Sequence, residues 1–409
     1  MKPIIKKLWM LTTILCASLS ASAYDFEVDG IYYEVISLTD LTCAVTSGYS
    51  NYKGDIIIPS EIIYKNRKFL VTDIGSKAFE DCSWLKTVNI PNSVTTIGTY
   101  AFYGCSSLQT INIPNSVTTI ENSTFSRCSS LQTVNIPNSV TTIGAYAFSR
   151  CSSLQTVNIP NSVTYIGRCV FRDCSALKDI KLSDKLRCIQ NGLFSGCKEL
   201  TKIDIPGSIE WISQNLKSQY YPSDYSEYYT FYNCKNLTEL SILYSSESLK
   251  VGYGDNDITE IGWSDWTNTI TDLYLDRALE DDIPVPNLER LELGESLQKV
   301  QIKGIKNLHK LKAIVCHASV PPTLPDMSNA QYMNLEVLVP EEAIDAYRAA
   351  PNWQNFWNLK GFAGIEENIM PDTKQIVSRV SLTGYPVEEN YHGIVIIRYS
   401  DGSAKKVLQ

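Results

Sequence analysis

The chain has 409 residues, a hydrophobic content of 44% and a formal net charge of −8. This length and composition are enough for a sizeable buried core. The excess of acidic residues argues against nucleic acid and anionic lipid as partners, because both carry negative charge.

The N-terminus predicts a secretory signal peptide over residues 1–23. A basic segment with Lys2, Lys6 and Lys7 precedes an apolar stretch, and small residues follow it up to Ala23. Cleavage after Ala23 removes the three lysines and lowers the formal charge to −11. No other apolar run approaches the roughly 18 residues that span a membrane. We therefore expect an exported protein, either secreted or held at the cell surface.

Residues 24–53 are predicted to form an N-terminal cap. From Phe26 to Ile36, apolar and polar side chains alternate, which is typical of a β-hairpin. We expect this hairpin to cover the first coil of the repeats that follow it.

Residues 54–242 carry a repeat with a period of 23 residues. The sequence IPNSVTTIG at 90–98 returns in later repeats, and cysteine and phenylalanine keep the same step. These residues are Cys82, Cys105, Cys128, Cys151, Cys174 and Cys197, and Phe79, Phe102, Phe125, Phe148, Phe171 and Phe194. A fixed period of this size predicts a solenoid, in which each coil buries its apolar face against its neighbours.

Each repeat combines a predicted strand with a predicted helical turn. Ile111 and Ile113 are expected to face the core and Asn112 to face outward, because side chains alternate along a strand. The proline that follows has no amide proton and ends the strand. The segment Ala101–Cys105 is predicted to form a short helical turn. Strands of successive coils are expected to stack into one parallel sheet with a spacing of about 4.8 Å.

The later part of the chain is less regular. An insertion occupies residues 213–230, and residues 243–362 continue the repeat in degenerate form, ending in a cap with a short helix over Glu341–Ala350. The array has about eleven coils by this count. Residues 363–375 are predicted to form a linker, and residues 376–409 a β tail of two or three strands.

The repeats resemble those of the BspA-like leucine-rich-repeat family of bacterial surface proteins, whose repeats read I-P-x-x-V-x-x-I-G-x-x-A-F-x-x-C-x-x-L. The resemblance implies a β-dominated α/β fold, a right-handed solenoid with a parallel sheet on one face. It also implies a non-catalytic adhesion role toward host matrix proteins, such as fibronectin and fibrinogen, or toward other bacteria. The β tail resembles the end of a type IX secretion sorting domain, which implies display at the outer membrane. A tail of exposed strands without a sorting role is the alternative.

No catalytic or metal-binding motif occurs in the sequence. The mature chain has three histidines, His309, His317 and His392, and none lies near a motif such as G-x-S-x-G or H-E-x-x-H. The repeated cysteines have no histidine in phase, and stacked side chains point the same way, so we expect buried thiols. We therefore expect no enzymatic activity, no cofactor and no bound metal.

Two sets of residues are candidates for ligand contact. The outward strand positions form a neutral set, Thr110, Asn112, Thr133, Asn135, Thr156 and Asn158. The insertion is rich in tyrosine and serine, as adaptable binding surfaces are, and it supplies Tyr221, Tyr225, Tyr228 and Tyr229. Each set also has a structural explanation, because polar residues solubilise a sheet face and tyrosines cover irregular coils.

The expected partner is an extracellular protein, from a host matrix or from a bacterial surface. Two alternative functions remain open at this point. One is a scaffold of the cell envelope, and the other is a glycan-binding module that uses the tyrosine and tryptophan residues around the insertion.

Overall fold

A computed structural model describes residues 24–48, 51–213, 229–252, 265–279, 282–362, 376–381, 394–399 and 404–408. The predicted signal peptide, the predicted linker and most of the predicted insertion lie outside these ranges. The described chain is dominated by β-strands, as the repeat predicts. In these ranges, no helix is long and apolar enough to cross a membrane.

Two compact units make up the chain. The first runs to Glu289 and includes Gln301–Gly304, and the second comprises Arg290–Val300 and the chain from Ile305 onward. The strands are β1 (Phe26–Val28), β2 (Ile31–Ser37), β3 (Thr42–Thr46), β4 (Gly54–Ile57), β5 (Glu61–Tyr64), β6 (Arg67–Ile74), β7 (Leu85–Asn89), β8 (Thr96–Ile97), β9 (Thr110–Asn112), β10 (Thr119–Ile120), β11 (Thr133–Asn135), β12 (Thr142–Ile143), β13 (Thr156–Asn158), β14 (Tyr165–Ile166), β15 (Asp179–Lys181), β16 (Cys188–Ile189), β17 (Lys202–Ile205), β18 (Trp211–Ser213), β19 (Glu239–Ile242), β20 (Lys250–Gly252), β21 (Asp272–Leu275), β22 (Arg290–Leu293), β23 (Ala313–Cys316), β24 (Glu336–Pro340), β25 (Asn358–Phe362), β26 (Ile376–Ser381), β27 (Ile394–Tyr399) and β28 (Ala404–Leu408).

The first unit begins with a small sheet of its own. β1 and β2 form an antiparallel hairpin, β3 pairs antiparallel with β2, and β6 runs parallel to β3 and antiparallel to β5. The ring of Phe26 lies 5.6 Å from the rings of both Tyr33 and Phe69. All three residues are buried. The chain before the regular repeats therefore has an aromatic core.

In the repeats of the first unit, each coil supplies a front strand and a back strand. Front strands pair in parallel as β4–β7, β9–β11–β13–β15 and β17–β19–β21. Back strands pair in parallel as β6–β8, β10–β12–β14 and β16–β18–β20. The register follows the 23-residue step, so Thr133 lies beside both Thr110 and Thr156. Equivalent residues of successive coils therefore form rows.

The turn segments, which join each back strand to the next front strand, differ from the prediction. The residues of Ala101–Cys105 form successive turns and no helix. Tyr100 and Gly104 have φ values of 59° and 73°, outside the right-handed helical region. Their N–H groups donate to the carbonyls of Asn122 and Ser126 in the next coil, at 3.1 and 2.9 Å. The left-handed residues thus let the turn segments pair coil to coil, which satisfies backbone groups that a helix would have used internally.

A ladder of phenylalanine rings runs through the core of the first unit. Successive ring centroids lie 5.4 Å apart, from Phe102 to Phe125 and from Phe125 to Phe148, and the angle between the ring planes is 10° in each pair. After the insertion, Phe231 takes the next position, 5.4 Å from Phe194. These side chains are fully buried. The ladder explains why phenylalanine keeps the period of the repeat.

Close approach of the coils requires glycine at the end of some back strands. A Cβ atom on Gly144 would lie 2.7 Å from the backbone nitrogen of Asn122, and one on Gly167 would lie 2.5 Å from that of Ala145. Atoms this close must move apart, so a side chain at either position would displace the neighbouring coil.

The second unit contains a parallel sheet with the order β22–β23–β24–β25. Its α-helices are Asn329–Asn334 and Ile344–Ala349, and its 3-10 helices are Ile305–Asn307, Glu341–Ala343 and Trp353–Asn355. The helix predicted after Pro340 is confirmed as a 3-10 turn followed by an α-helix. Buried Trp353 and Tyr347 anchor this region, since they donate to the carbonyls of Pro322 and Ala318 at 2.7 and 2.8 Å. The strands β26, β27 and β28 form an antiparallel sheet.

Truncation of Phe125 tests the ring ladder. We expect Phe125→Ala to lower the free energy of unfolding by about 3–5 kcal/mol, because it opens a cavity between two stacked rings. Exposed Thr141 supplies a control, and Thr141→Ala should change the same quantity by less than about 0.5 kcal/mol. Urea denaturation followed by circular dichroism measures both. Equal unfolding midpoints for the two variants would contradict a stabilising role of the ladder.

Candidate functional site

The six outward residues of β9, β11 and β13 form a surface that we call the strand grid. Its members are Thr110, Asn112, Thr133, Asn135, Thr156 and Asn158. All six are exposed, whereas Ile111 and Val157 between them are buried. This arrangement follows from the alternation of side chains along a strand. The structure therefore places all six residues together on one face, as the pattern predicts.

The strand grid consists of one row of threonine and one row of asparagine. Thr110, Thr133 and Thr156 are register partners across the sheet, and Asn135 is the partner of Asn112. Neighbours in a row are about 4.8 Å apart, the spacing of paired strands. Each threonine presents a hydroxyl and a methyl group, and each asparagine presents amide donors and an acceptor. The grid can thus form many neutral hydrogen bonds with a ligand.

Charged residues border the strand grid along the sheet. On the N-terminal side, Thr87 donates to the Asp55 carboxylate at 2.6 Å. On the C-terminal side, Asp179 and Lys181 are the register partners of Thr156 and Asn158. Burial raises the pKa of Asp179, and nearby Lys202 opposes that shift. The neutral rows are therefore limited to a few coils.

The insertion belongs to a different part of the coil. Tyr221, Tyr225 and Tyr228 lie outside the described residues, and Tyr229 is half-buried where the chain re-enters the repeat. The hydroxyl of Thr230 donates to the carbonyl of Ser213 at 2.6 Å, so the two ends of the insertion are adjacent. The insertion thus leaves from a back strand and returns into a turn segment, whereas the strand grid lies on front strands.

The cysteines form a buried row, the thiol ladder, made of Cys82, Cys105, Cys128, Cys151, Cys174, Cys197 and Cys234. The expected row of buried thiols is confirmed, since these seven cysteines are buried and form no disulfide. The Sγ atoms of Cys128 and Cys151 donate to the carbonyls of Phe102 and Phe125 in the preceding coil, each at 3.2 Å. Burial raises the pKa of these two thiols well above the ordinary value. Such groups are poor nucleophiles and poor metal ligands.

Within the described ranges, no group of three or more His, Cys, Asp or Glu side chains is placed so that it could hold a metal ion. In the second unit, His317 Nε2 lies 2.7 Å from Glu292 Oε1, and both side chains are largely buried. Arg290 lies 3.0 Å from the other oxygen of Glu292. The carboxylate is thus held by two partners.

A second polar surface, which the repeat pattern does not single out, lies on the turn segments. Arg127 is placed over the ring of Tyr103, and Arg168 over the ring of Tyr146. The signal in the sequence is the position of the charges, because the coils between Pro91 and Cys174 carry arginine in their turn segments and no charge on their strands. It becomes visible only once the repeats are aligned with one another.

Parallel strands at a 23-residue step, a ring ladder and a polar sheet face define a leucine-rich-repeat protein. The sequence matches the family model of the BspA type Leucine rich repeat region, with six copies over residues 60–178 and 142–261. The chain therefore belongs to the BspA-type leucine-rich-repeat family, which confirms the resemblance of its repeats.

Similar solved structures include bacterial leucine-rich-repeat proteins. A leucine-rich repeat protein from Bacteroides ovatus is 24% identical, with a TM-score of 0.51 over 83% of this chain and 91% of that one. The Leucine Rich Repeat protein of T. pallidum is 32% identical, over 46% of this chain and 85% of its own, with a TM-score of 0.41. A leucine rich cell surface protein from Faecalibacterium prausnitzii is 21% identical, over 83% and 95%, with a TM-score of 0.48. No curated protein matches the sequence.

The thiol ladder makes stability sensitive to alkaline pH. Burial raises the pKa of Cys82 to about 11 and that of Cys234 to about 12, above the value of 9.0 for an exposed thiol. The unfolded chain therefore loses thiol protons first, and stability present below pH 9 is lost as pH rises through the folded pKa values.

We expect the urea concentration at the unfolding midpoint to decrease as pH is raised from about 8 to about 10.5. The decrease should be less steep in the double variant Cys128→Ala/Cys151→Ala. Cys188, which is half-buried and lies outside the ladder, provides the control. The Cys188→Ala variant should retain the slope of the unmodified protein. An unchanged slope in the double variant would show that the ladder is not the source of the alkaline sensitivity.

Proposed function

We propose that this protein is an exported, non-catalytic binding protein, and that the strand grid contacts an extracellular protein of a host matrix or of another cell surface. The observation that carries the proposal is the exposure of two uniform neutral rows on adjacent coils. Solubility alone favours charged residues on a sheet face. The centres of protein interfaces are instead depleted of charge.

The geometry of the strand grid suits an extended contact. Parallel strands hold its side chains at fixed spacing, so little conformational freedom of the backbone remains to be lost on binding. Solenoid proteins commonly bind ligands on such faces. Because the rows carry no charge, we expect the affinity for a protein partner to depend only weakly on salt.

A triple substitution tests the strand grid. We expect Thr110→Lys/Thr133→Lys/Thr156→Lys to weaken binding to fibronectin, fibrinogen or whole bacterial cells by at least about tenfold, equivalent to about 1.4 kcal/mol. Desolvation of three new charges at the contact is the physical reason. Biolayer interferometry with the mature protein measures the dissociation constants, and circular dichroism verifies the fold.

The same coils supply a matched control. Thr118, Thr141 and Thr164 are exposed and follow the same 23-residue step, but they precede the back strands. Replacing these three by lysine should leave affinity unchanged. Equal loss in both triple variants would overturn the assignment of binding to the strand grid. Loss only in the variant Tyr225→Ser/Tyr228→Ser/Tyr229→Ser would assign contact to the insertion instead.

The predicted signal peptide and the β tail support a location outside the cell. We propose that residues 376–409 direct display at the cell surface. Deleting them should remove the protein from the protease-accessible surface of intact cells while total expression persists, as fractionation and immunoblotting would measure. A truncated protein that stays fully accessible at the surface would contradict a sorting role and leave the binding proposal intact.

A further inference from the structure

The regular coils confine their charges to one side. Between Pro91 and Cys174, every charged residue lies in a turn segment, and the front and back strands carry none. The charged residues are Glu121, Arg127, Arg150, Arg168, Arg172 and Asp173. Four cations against two anions give this side a positive excess, in a chain whose net charge is −8.

Two of the arginines form cation–π contacts with tyrosine rings. The guanidinium carbon of Arg127 lies 5.2 Å from the ring centroid of Tyr103, and that of Arg168 lies 5.6 Å from the ring centroid of Tyr146. Both arginines are exposed. A cation–π contact of this kind places the guanidinium over the face of the ring and leaves N–H donors available to bind an anion in a bidentate manner. The contacts therefore restrict the donors before a ligand arrives.

Two arginines also occupy equivalent positions of adjacent coils. Arg127 and Arg150 have φ values of 64° and 62°, and the coil spacing places their backbones about 5 Å apart. The Nε atoms of Arg150 and Arg172 both lie 3.6 Å from the Asp173 carboxylate. One carboxylate beside two guanidinium groups leaves a net positive charge. Core packing does not require this arrangement, because Arg127 and Arg150 are exposed.

We propose that this surface, the arginine face (Arg127, Arg150, Arg168 and Arg172 with Tyr103 and Tyr146), binds a linear acidic polysaccharide. Carboxylate or sulfate groups of the chain would lie on the guanidinium edges, since planar donors match these anions. The exposed amide group of Asn122 and the hydroxyl group of half-buried Thr99 would pair with sugar hydroxyls.

The surroundings favour a polysaccharide over an acidic protein. In the described residues from 91 to 197, the large exposed hydrophobic side chains are Tyr100 and Tyr165, and both carry a hydroxyl group. An acidic protein bound through guanidinium–carboxylate pairs would usually add an aliphatic or aromatic anchor to offset the desolvation of those charges. A hydrophilic polyanion needs none. This ligand and this surface are separate from the neutral strand grid and its protein partner.

Binding of the mature protein to immobilised heparin and to polygalacturonate tests the proposal, with neutral dextran and polyglutamate as comparison surfaces. We expect binding to at least one acidic polysaccharide, decreasing as salt rises, and none to dextran. The double variant Arg127→Asn/Arg150→Asn should bind at least about tenfold more weakly; asparagine tolerates the left-handed backbone at both positions. Exposed Arg67 and Lys68 lie in the N-terminal sheet, and the control Arg67→Gln/Lys68→Gln removes the same two charges there and should leave the affinity unchanged.

Further variants distinguish recognition by the planar guanidinium donors from nonspecific attraction between opposite charges. Arg127→Lys/Arg150→Lys keeps the charge but loses the planar donors, and Tyr103→Ala removes one ring platform, so both should weaken binding several-fold. Full affinity in the lysine variant would overturn the proposal, as would tighter binding to polyglutamate or no binding to either polysaccharide at low salt. The arginine variants should retain any affinity for the protein partner of the strand grid, which keeps the two proposals distinguishable.

Discussion

Each coil of the repeat completes its backbone hydrogen bonds with the coils before and after it. Front strands, back strands and turn segments all pair with their equivalents one period away. Because the three pairings share one register, a residue that faces inward packs on its own counterpart in the next coil. Phenylalanine rings and cysteine thiols therefore recur at one step in the regular coils, and where the insertion lengthens that step, Phe231 and β19 resume the pairing with Phe194 and β17.

The same register determines what the protein offers to a ligand. An outward position becomes a row, whose chemistry depends on the residue that is repeated there. On the front strands, threonine and asparagine produce a neutral surface, and on the turn segments arginine and tyrosine produce a positive one. Two sides of the same few coils thus differ in charge, although they share a core. Binding on one side leaves the donors and acceptors of the other side available.

The fold could largely be predicted because the period and the strand alternation are written in the sequence. The thiols at positions such as Cys151 and the outward Thr133 follow from the same step. The conformation of the turn segments could not, because Tyr100 is a residue that seldom adopts positive φ and gives no local signal of doing so. The arginine surface was not predicted, since its members, such as Arg127 and Arg168, occupy different repeat positions and share one side only in the folded coils. The strand β25 was also not predicted, because its apolar pattern is short.

Because every regular coil presents the same upper and lower surface to its neighbours, gain or loss of 23 residues between Pro114 and Pro160 would recreate the existing contacts. Residues 114–136 and 137–159 differ at only four positions, 121–124. A tandem duplication in the coding sequence could therefore lengthen the protein without any compensating substitution. The length of the solenoid can therefore evolve by whole coils of 23 residues, without a change in the residues that form its exposed rows.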